Sequence, residues 1–150
     1  MIDVLMRFDP ERLSSDYELR GGSLAADAGL STAIVHSLFT DARARDDDEL
    51  PAGESEPRGW WGDVLASAEG DRYGSRLWLL RREKQTQETL NKAREIAEEA
   101  LAWLIEDGIA RQIETEAEYI RLGVLALRIT VQVIAGAAEE FVFEISTGGA

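Results

Sequence analysis

The chain has 150 residues, 45% of them hydrophobic, and carries 29 acidic against 16 basic side chains for a formal net charge of -13. That length suits one domain burying about 70% of the surface its unfolded form exposes, and the absence of Cys excludes disulfides, zinc thiolates and thiol nucleophiles while fitting a bacterial cytoplasm. The acidic balance argues against a broad grip on nucleic acid or anionic lipid; no stretch approaches the ~20 apolar residues of a membrane span, and the acid-bearing start MIDVLMRFDPERL does not read as a signal peptide, so a soluble, non-exported protein is expected.

Ile2, Val4, Met6 and Phe8 fall on one side of an extended chain, as in a half-buried strand that Asp9-Pro10 would end. Tyr17 and Leu19 lead into Gly21-Gly22 and then Leu24, which predicts a hairpin, since paired Gly relieves the cost of positive φ. Ser31 is the expected cap of a helix from Thr32 to about Ala44, with Ile34, Val35, Leu38, Phe39 and Ala42 on one stripe and His36 off it. A lone His there reads as a solvated or interface residue. Asp46, Asp47, Asp48 and Glu49 run into Leu50-Pro51 as a solvated acidic loop; the run lacks the alternating ligands and turn Gly of a calcium site.

Residues 59 to 83, GWWGDVLASAEGDRYGSRLWLLRRE, hold three of the four Trp beside Arg72, Arg76, Arg81 and Arg82. Trp60 and Trp61 are adjacent, so neither a helix nor a strand puts both rings on one face. Either both are half-buried plugs under a long loop, or one anchors the core while the other faces a partner, in line with the Trp and Arg enrichment of interface hot spots. From Ser75, LWLLRREK reads as helical, with Leu77, Leu80 and Trp78 inward and Arg81 and Arg82 outward. The basic side chains are 14 Arg and only two Lys, Lys84 and Lys92, a bias that suits bidentate carboxylate pairing and equally follows from a GC-rich genome.

Thr86 is the expected cap of the longest helix, Gln87 to Glu106, whose positions Leu90, Ala93, Ile96, Ala97, Ala100, Leu101 and Leu104 form a wide apolar band; Gly108 suits its left-handed terminus. The period then changes to two. Ile113, Thr115, Ala117 and Tyr119 oppose Gln112, Glu114, Glu116 and Glu118, and Leu125, Leu127, Ile129, Val131 and Val133 oppose Ala126, Arg128, Thr130 and Gln132. Two antiparallel strands joined near Arg121 to Gly123 follow, with a third from Phe141 to Ile145. The expected architecture is α+β, an antiparallel sheet with helices on one face, as a single domain over residues 1 to 145 with a disordered tail at 146 to 150.

The segments GLSTAIVHSLFTDARARDDDELP, GWWGD and GDRYGSRLWLLRREK together resemble the phage Mu gene product forty-six family, small baseplate wedge proteins of contractile-tailed phages and prophages. The likeness spans roughly residues 16 to 133 and is carried by Phe39, Thr40, Asp41, Arg43, Gly59, Trp60, Trp61, Gly62, Asp63, Gly74, Ser75, Arg76, Leu77 and Trp78. It implies a structural subunit present in several copies around a six-fold assembly, with other wedge, tube or sheath proteins as partners; no nucleic acid or membrane partner is expected, on the charge and the lack of an apolar span. It also implies assembly in the host cytoplasm followed by residence in the virion tail. Within that frame Trp60, Trp61, Arg72, Arg76, Trp78, Arg81 and Arg82 are the candidate interface, with Arg72 and Arg76 expected to pair with Asp41 or Asp63.

Two other classes fit parts of the sequence. Glu106 with Asp107, or the row Glu114, Glu116 and Glu118, supplies carboxylates for an acid-dependent glycan hydrolase, but such work needs one buried acid and a partner about 5 to 9 Å away in a cleft. The row has no apolar neighbours on its face, so solvation or Arg pairing is expected. With one His, no GxSxG elbow and no phosphate-cradling loop, no catalytic residue, cofactor or metal is expected. The charge alone would also fit an acidic inhibitor or decoy.

Overall fold

The computed structural model describes the backbone of residues 3–4, 6–9, 14–17, 19–20, 23–24 and 26–27, and backbone with side chains for residues 29–51, 53, 55–59, 74–134 and 136–147. Six short strands come first: β1 Asp3–Val4, β2 Met6–Asp9, β3 Ser14–Tyr17, β4 Leu19–Arg20, β5 Ser23–Leu24 and β6 Ala26–Asp27. They pair antiparallel as β1 with β6, β2 with β3 and β4 with β5. The hairpin expected around Gly21-Gly22 is present, since Arg20 faces Ser23 across it; the two Gly themselves, like Pro10, lie outside the described residues.

Helix α1 covers Leu30–Phe39. Its cap is Gly29 at φ 90°, whose carbonyl accepts the Ala33 amide at 2.9 Å, and not Ser31, which sits inside the first turn. It also ends earlier than its stripe suggested. The Ser75 amide donates to the Thr40 carbonyl at 2.8 Å and the Ser75 hydroxyl to the Leu38 carbonyl, so the orphan carbonyls of the last turn find partners from another segment and the chain straightens at Thr40. Ala42 is buried as the stripe required, but from an extended strap that buries Ala44 as well and in which Arg43 and Arg45 point outward.

The helix expected from Ser75 is a single 3-10 turn, Leu77–Leu80, with all four side chains buried. A helix with no polar face could not continue on a surface, and Arg82, at φ 67°, turns the chain away. Helix α2, Gln87–Glu106, matches its expected limits; the Thr86 hydroxyl accepts the Thr89 amide at 3.2 Å, and Gly108 takes φ 73° beyond its end.

Strands β7 Ala110–Arg121, β8 Val124–Val133 and β9 Ala138–Ser146 form an antiparallel sheet in that order. Arg121 faces Val124 across a two-residue turn in which Gly123 has φ 75°. The third strand is longer at its start than expected, and it runs through Ser146 to a buried Thr147, so the expected tail begins no earlier than residue 148; residues 148–150 are outside the described part.

The alternation in β7 and β8 sorts as anticipated, with Leu125, Leu127, Ile129 and Val131 fully buried and Glu114, Glu116 and Glu118 exposed. The core joins Ile34 and Leu38 of α1, Leu77 and Leu80, the α2 band of Ala93, Ile96, Ala97, Leu101 and Leu104, and the inner face of the sheet. Phe39 meets Phe143 edge-on at 5.3 Å between ring centres. Helices thus cover one face of an antiparallel sheet in a single α+β domain.

Candidate interaction surface

Three segments distant in sequence meet beside α1 and α2. The strap of residues 40–45 bonds on one edge to 74–75, through a parallel bridge between Asp41 and Ser75 and the Ala42 amide on the Ser75 carbonyl at 2.9 Å. On the other side the Ala44 amide reaches the Pro57 carbonyl at 2.8 Å. The close approach explains Gly74, which has φ 96° and where a methyl group would collide with the Thr40 carbonyl. Gly59, at φ 129°, packs against Arg43 in the same way, less tightly.

Trp78 lies beneath this strap. It is 7% exposed, and its indole nitrogen donates to the Ala42 carbonyl at 2.8 Å. Of its two expected placements, inward beside Leu77 and Leu80 or among the interface residues, the fold shows the inward one, because an indole stacked under a strap buries its area and satisfies its one donor within the chain. The Arg58 guanidinium stacks over it, 4.5 Å from the ring centre, and pairs with Asp41 at 2.6 Å.

Arg76 does not pair with Asp41. It forks onto Asp48 at 2.7 and 2.8 Å and onto Glu99 at 2.8 Å, and Glu99 also takes Arg45 at 2.8 Å. Arg76 and Asp48 side chains are only 13% and 11% exposed, so this residue of the acidic run is not solvated as expected but tied into the fold. Burial pushes the Asp48 carboxyl up, yet the hydrogen bonds from Arg76 and the Arg45 amide, with both guanidinium charges, prevail and hold it below its ordinary 3.8. Burial likewise opposes the Arg76 charge, and its two carboxylate partners overcome it, raising its pKa further.

Among the remaining candidates, Arg81 and Arg82 are exposed and follow the 3-10 turn as expected, while Thr40 and Phe39 close α1. Trp60, Trp61, Gly62, Asp63 and Arg72 lie outside the described residues. Sequence reasoning missed Arg58, Asp48 and Glu99. Arg58 adjoins the Gly59-Trp60 motif, a usable signal; Asp48 was hidden in a uniform acid run, and Glu99 looked like any exposed helix acid.

Of the carboxylates considered for catalysis, Glu106 borders an open groove along α2 and the others are exposed. Glu106 and Asp107 are exposed at the end of α2, and Glu116 lies on the outer sheet face with Arg128 at 3.4 Å. Among the described residues no group of three His, Asp or Glu side chains could hold a metal, and no helix is long and apolar enough to cross a membrane.

A family model described as phage protein GP46 matches residues 30–138, from the start of α1 into β9. The chain is 43% identical over 129 residues to the baseplate protein gp46 of Escherichia phage Mu, covering 86% of this chain and 87% of that protein. It is 40% identical over 128 residues to the Mu-like prophage FluMu protein gp46 of Haemophilus influenzae, covering 85% and 86%. With the family match spanning the helices, the strap and most of the sheet, the chain belongs to the phage protein GP46 family.

Proposed function

We propose that this chain is a structural subunit of a phage or prophage contractile-tail baseplate, acting in tail assembly through protein–protein contacts and without catalysis. The observation that carries the reading is its likeness to the Mu baseplate protein over almost the whole of both chains. The fold supports it: Arg58 and Arg76 pair with Asp41, Asp48 and Glu99 in holding loops together, and Glu106, Asp107, Glu114, Glu116 and Glu118 are exposed. The finer reading is a wedge subunit, several copies around a six-fold axis, assembled in the host cytoplasm and retained in the virion.

Trp61 and a free edge of the C-terminal sheet are the proposed contacts with wedge, tube or sheath neighbours. Among the described residues β7 and β9 each pair only with β8, so either edge offers backbone groups to an added strand. Trp61→Ala is expected to leave the purified domain folded by circular dichroism while blocking its incorporation into tails. Normal incorporation of the variant would remove Trp61 from the interface.

A further inference from the structure

An open groove of about 460 Å3 runs between the strap and the flank of α2, within the size range of binding clefts. Ile96, Ala100 and Trp103 give it an apolar floor, Arg43 and Arg45 stand along the strap side, and Glu106 lies on the helix side. Trp103 is held in place, its indole nitrogen on the Ser37 hydroxyl at 3.0 Å. The strap is equally fixed, pinned by Ala42 to Ser75 and by Ala44 to Pro57, so the alternation of an extended chain turns Arg43 and Arg45 outward together.

The two arginines differ in what they are doing. Arg45 is engaged by Glu99, as is Arg76. Arg43 is exposed and makes no hydrogen bond or ion pair among the described residues, a notable state in a chain of net charge -13. A guanidinium rooted in a fixed backbone beside an apolar floor offers a planar fork that matches a carboxylate, at the cost of ordering one long side chain. We propose that this groove docks a segment of another tail protein that presents a carboxylate to Arg43 and an apolar side chain to Trp103 and Ala100. This rests on the baseplate reading. A phosphate backbone would meet Glu99 and Glu106 in the same groove, and a second copy would bring its exposed Asp46 and Asp47, beside its own strap, against the same acids.

The test supplies the gene in trans to a phage or prophage genome deleted for it and counts sheathed tails by electron microscopy. Arg43→Glu is expected to keep the wild-type thermal midpoint yet lower tail yield at least tenfold, with Arg43→Gln intermediate. Second-site suppressors of Arg43→Glu are expected to replace an Asp or Glu of another tail protein by Lys or Arg. Wild-type yields from folded Arg43→Glu, suppressors confined to this chain, or a purified wild-type dimer that Arg43→Glu dissociates would each overturn the proposal; should Arg43→Glu fail to fold, the yield with Arg43→Gln decides. Normal tails from the deletion itself would sink the baseplate reading instead.

Discussion

Gly74 and Gly108 both hold a left-handed backbone, but their surroundings differ. At Gly108 nothing lies within 4 Å of an added methyl, whereas at Gly74 the Thr40 carbonyl occupies that space. Gly108→Ala is expected to cost only the conformational penalty, about 1 kcal/mol, and Gly74→Ala that penalty plus a forced opening of the strap, about 3 kcal/mol or more. Urea unfolding of the two variants makes the comparison, and equal midpoints would refute the close-packing argument. Asp48 offers a second residue-scale test. Its carboxyl is held below its ordinary value in the folded state, so its contribution is present above about pH 4 and is lost as pH falls through the folded value. Asp48→Asn is expected to lose about 1 to 3 kcal/mol at pH 7 and to show a flatter decline than the wild type below pH 4. Parallel acid profiles would assign the acid sensitivity elsewhere.

At the scale of elements, the two helices differ in how much they depend on their neighbours. α2 has its own cap, a Gly beyond its end and a long apolar band, and its limits were legible residue by residue. Thr86→Ala is expected to lower stability by about 1 kcal/mol through loss of the hydroxyl that accepts the Thr89 amide, with Thr86→Ser restoring most of it. Thermal melts of both variants check this; an unchanged Thr86→Ala would mean the cap is redundant. α1 carries no such signals at its end. Its stripe continued through Ala42, and only the arrival of Ser75 at the Leu38 and Thr40 carbonyls stops the helix. The LWLL turn failed as a helix for a related reason: its four consecutive buried side chains divide between two clusters, Leu77 and Leu80 in the main core and Trp78 and Leu79 against Ala44, which no amphipathic pattern encodes.

For the whole molecule, the proposed assembly role and a hydrolase lead to different expectations. The outer face of the sheet carries Glu116 and Glu140 around Arg128 in open solvent, and the helix-end acids Glu106 and Asp107 are equally exposed. A general acid catalyst works from a desolvated site, and these side chains are exposed. Purified protein is expected to release no soluble product from peptidoglycan, and Glu106→Gln and Asp107→Asn to behave identically. Turnover abolished by either amide would reinstate the hydrolase.

By itself the sequence determined the α+β class, α2 with both its ends, the inward and outward faces of β7 and β8, the expectation of a hairpin at the double Gly, and, through its motifs, the family. Each of these is written in local terms, as a period of 3.6 or 2 or as a cap or turn residue whose preference acts over a few positions. The tertiary structure alone decided where α1 stops, that Trp78 is roofed by Arg58 and buried under the strap, and that Arg76 chooses Asp48 and Glu99 over Asp41. Those outcomes depend on which of several chemically equivalent carboxylates and carbonyls lies within about 3 Å once distant segments pack, and no spacing along the chain carries that distance.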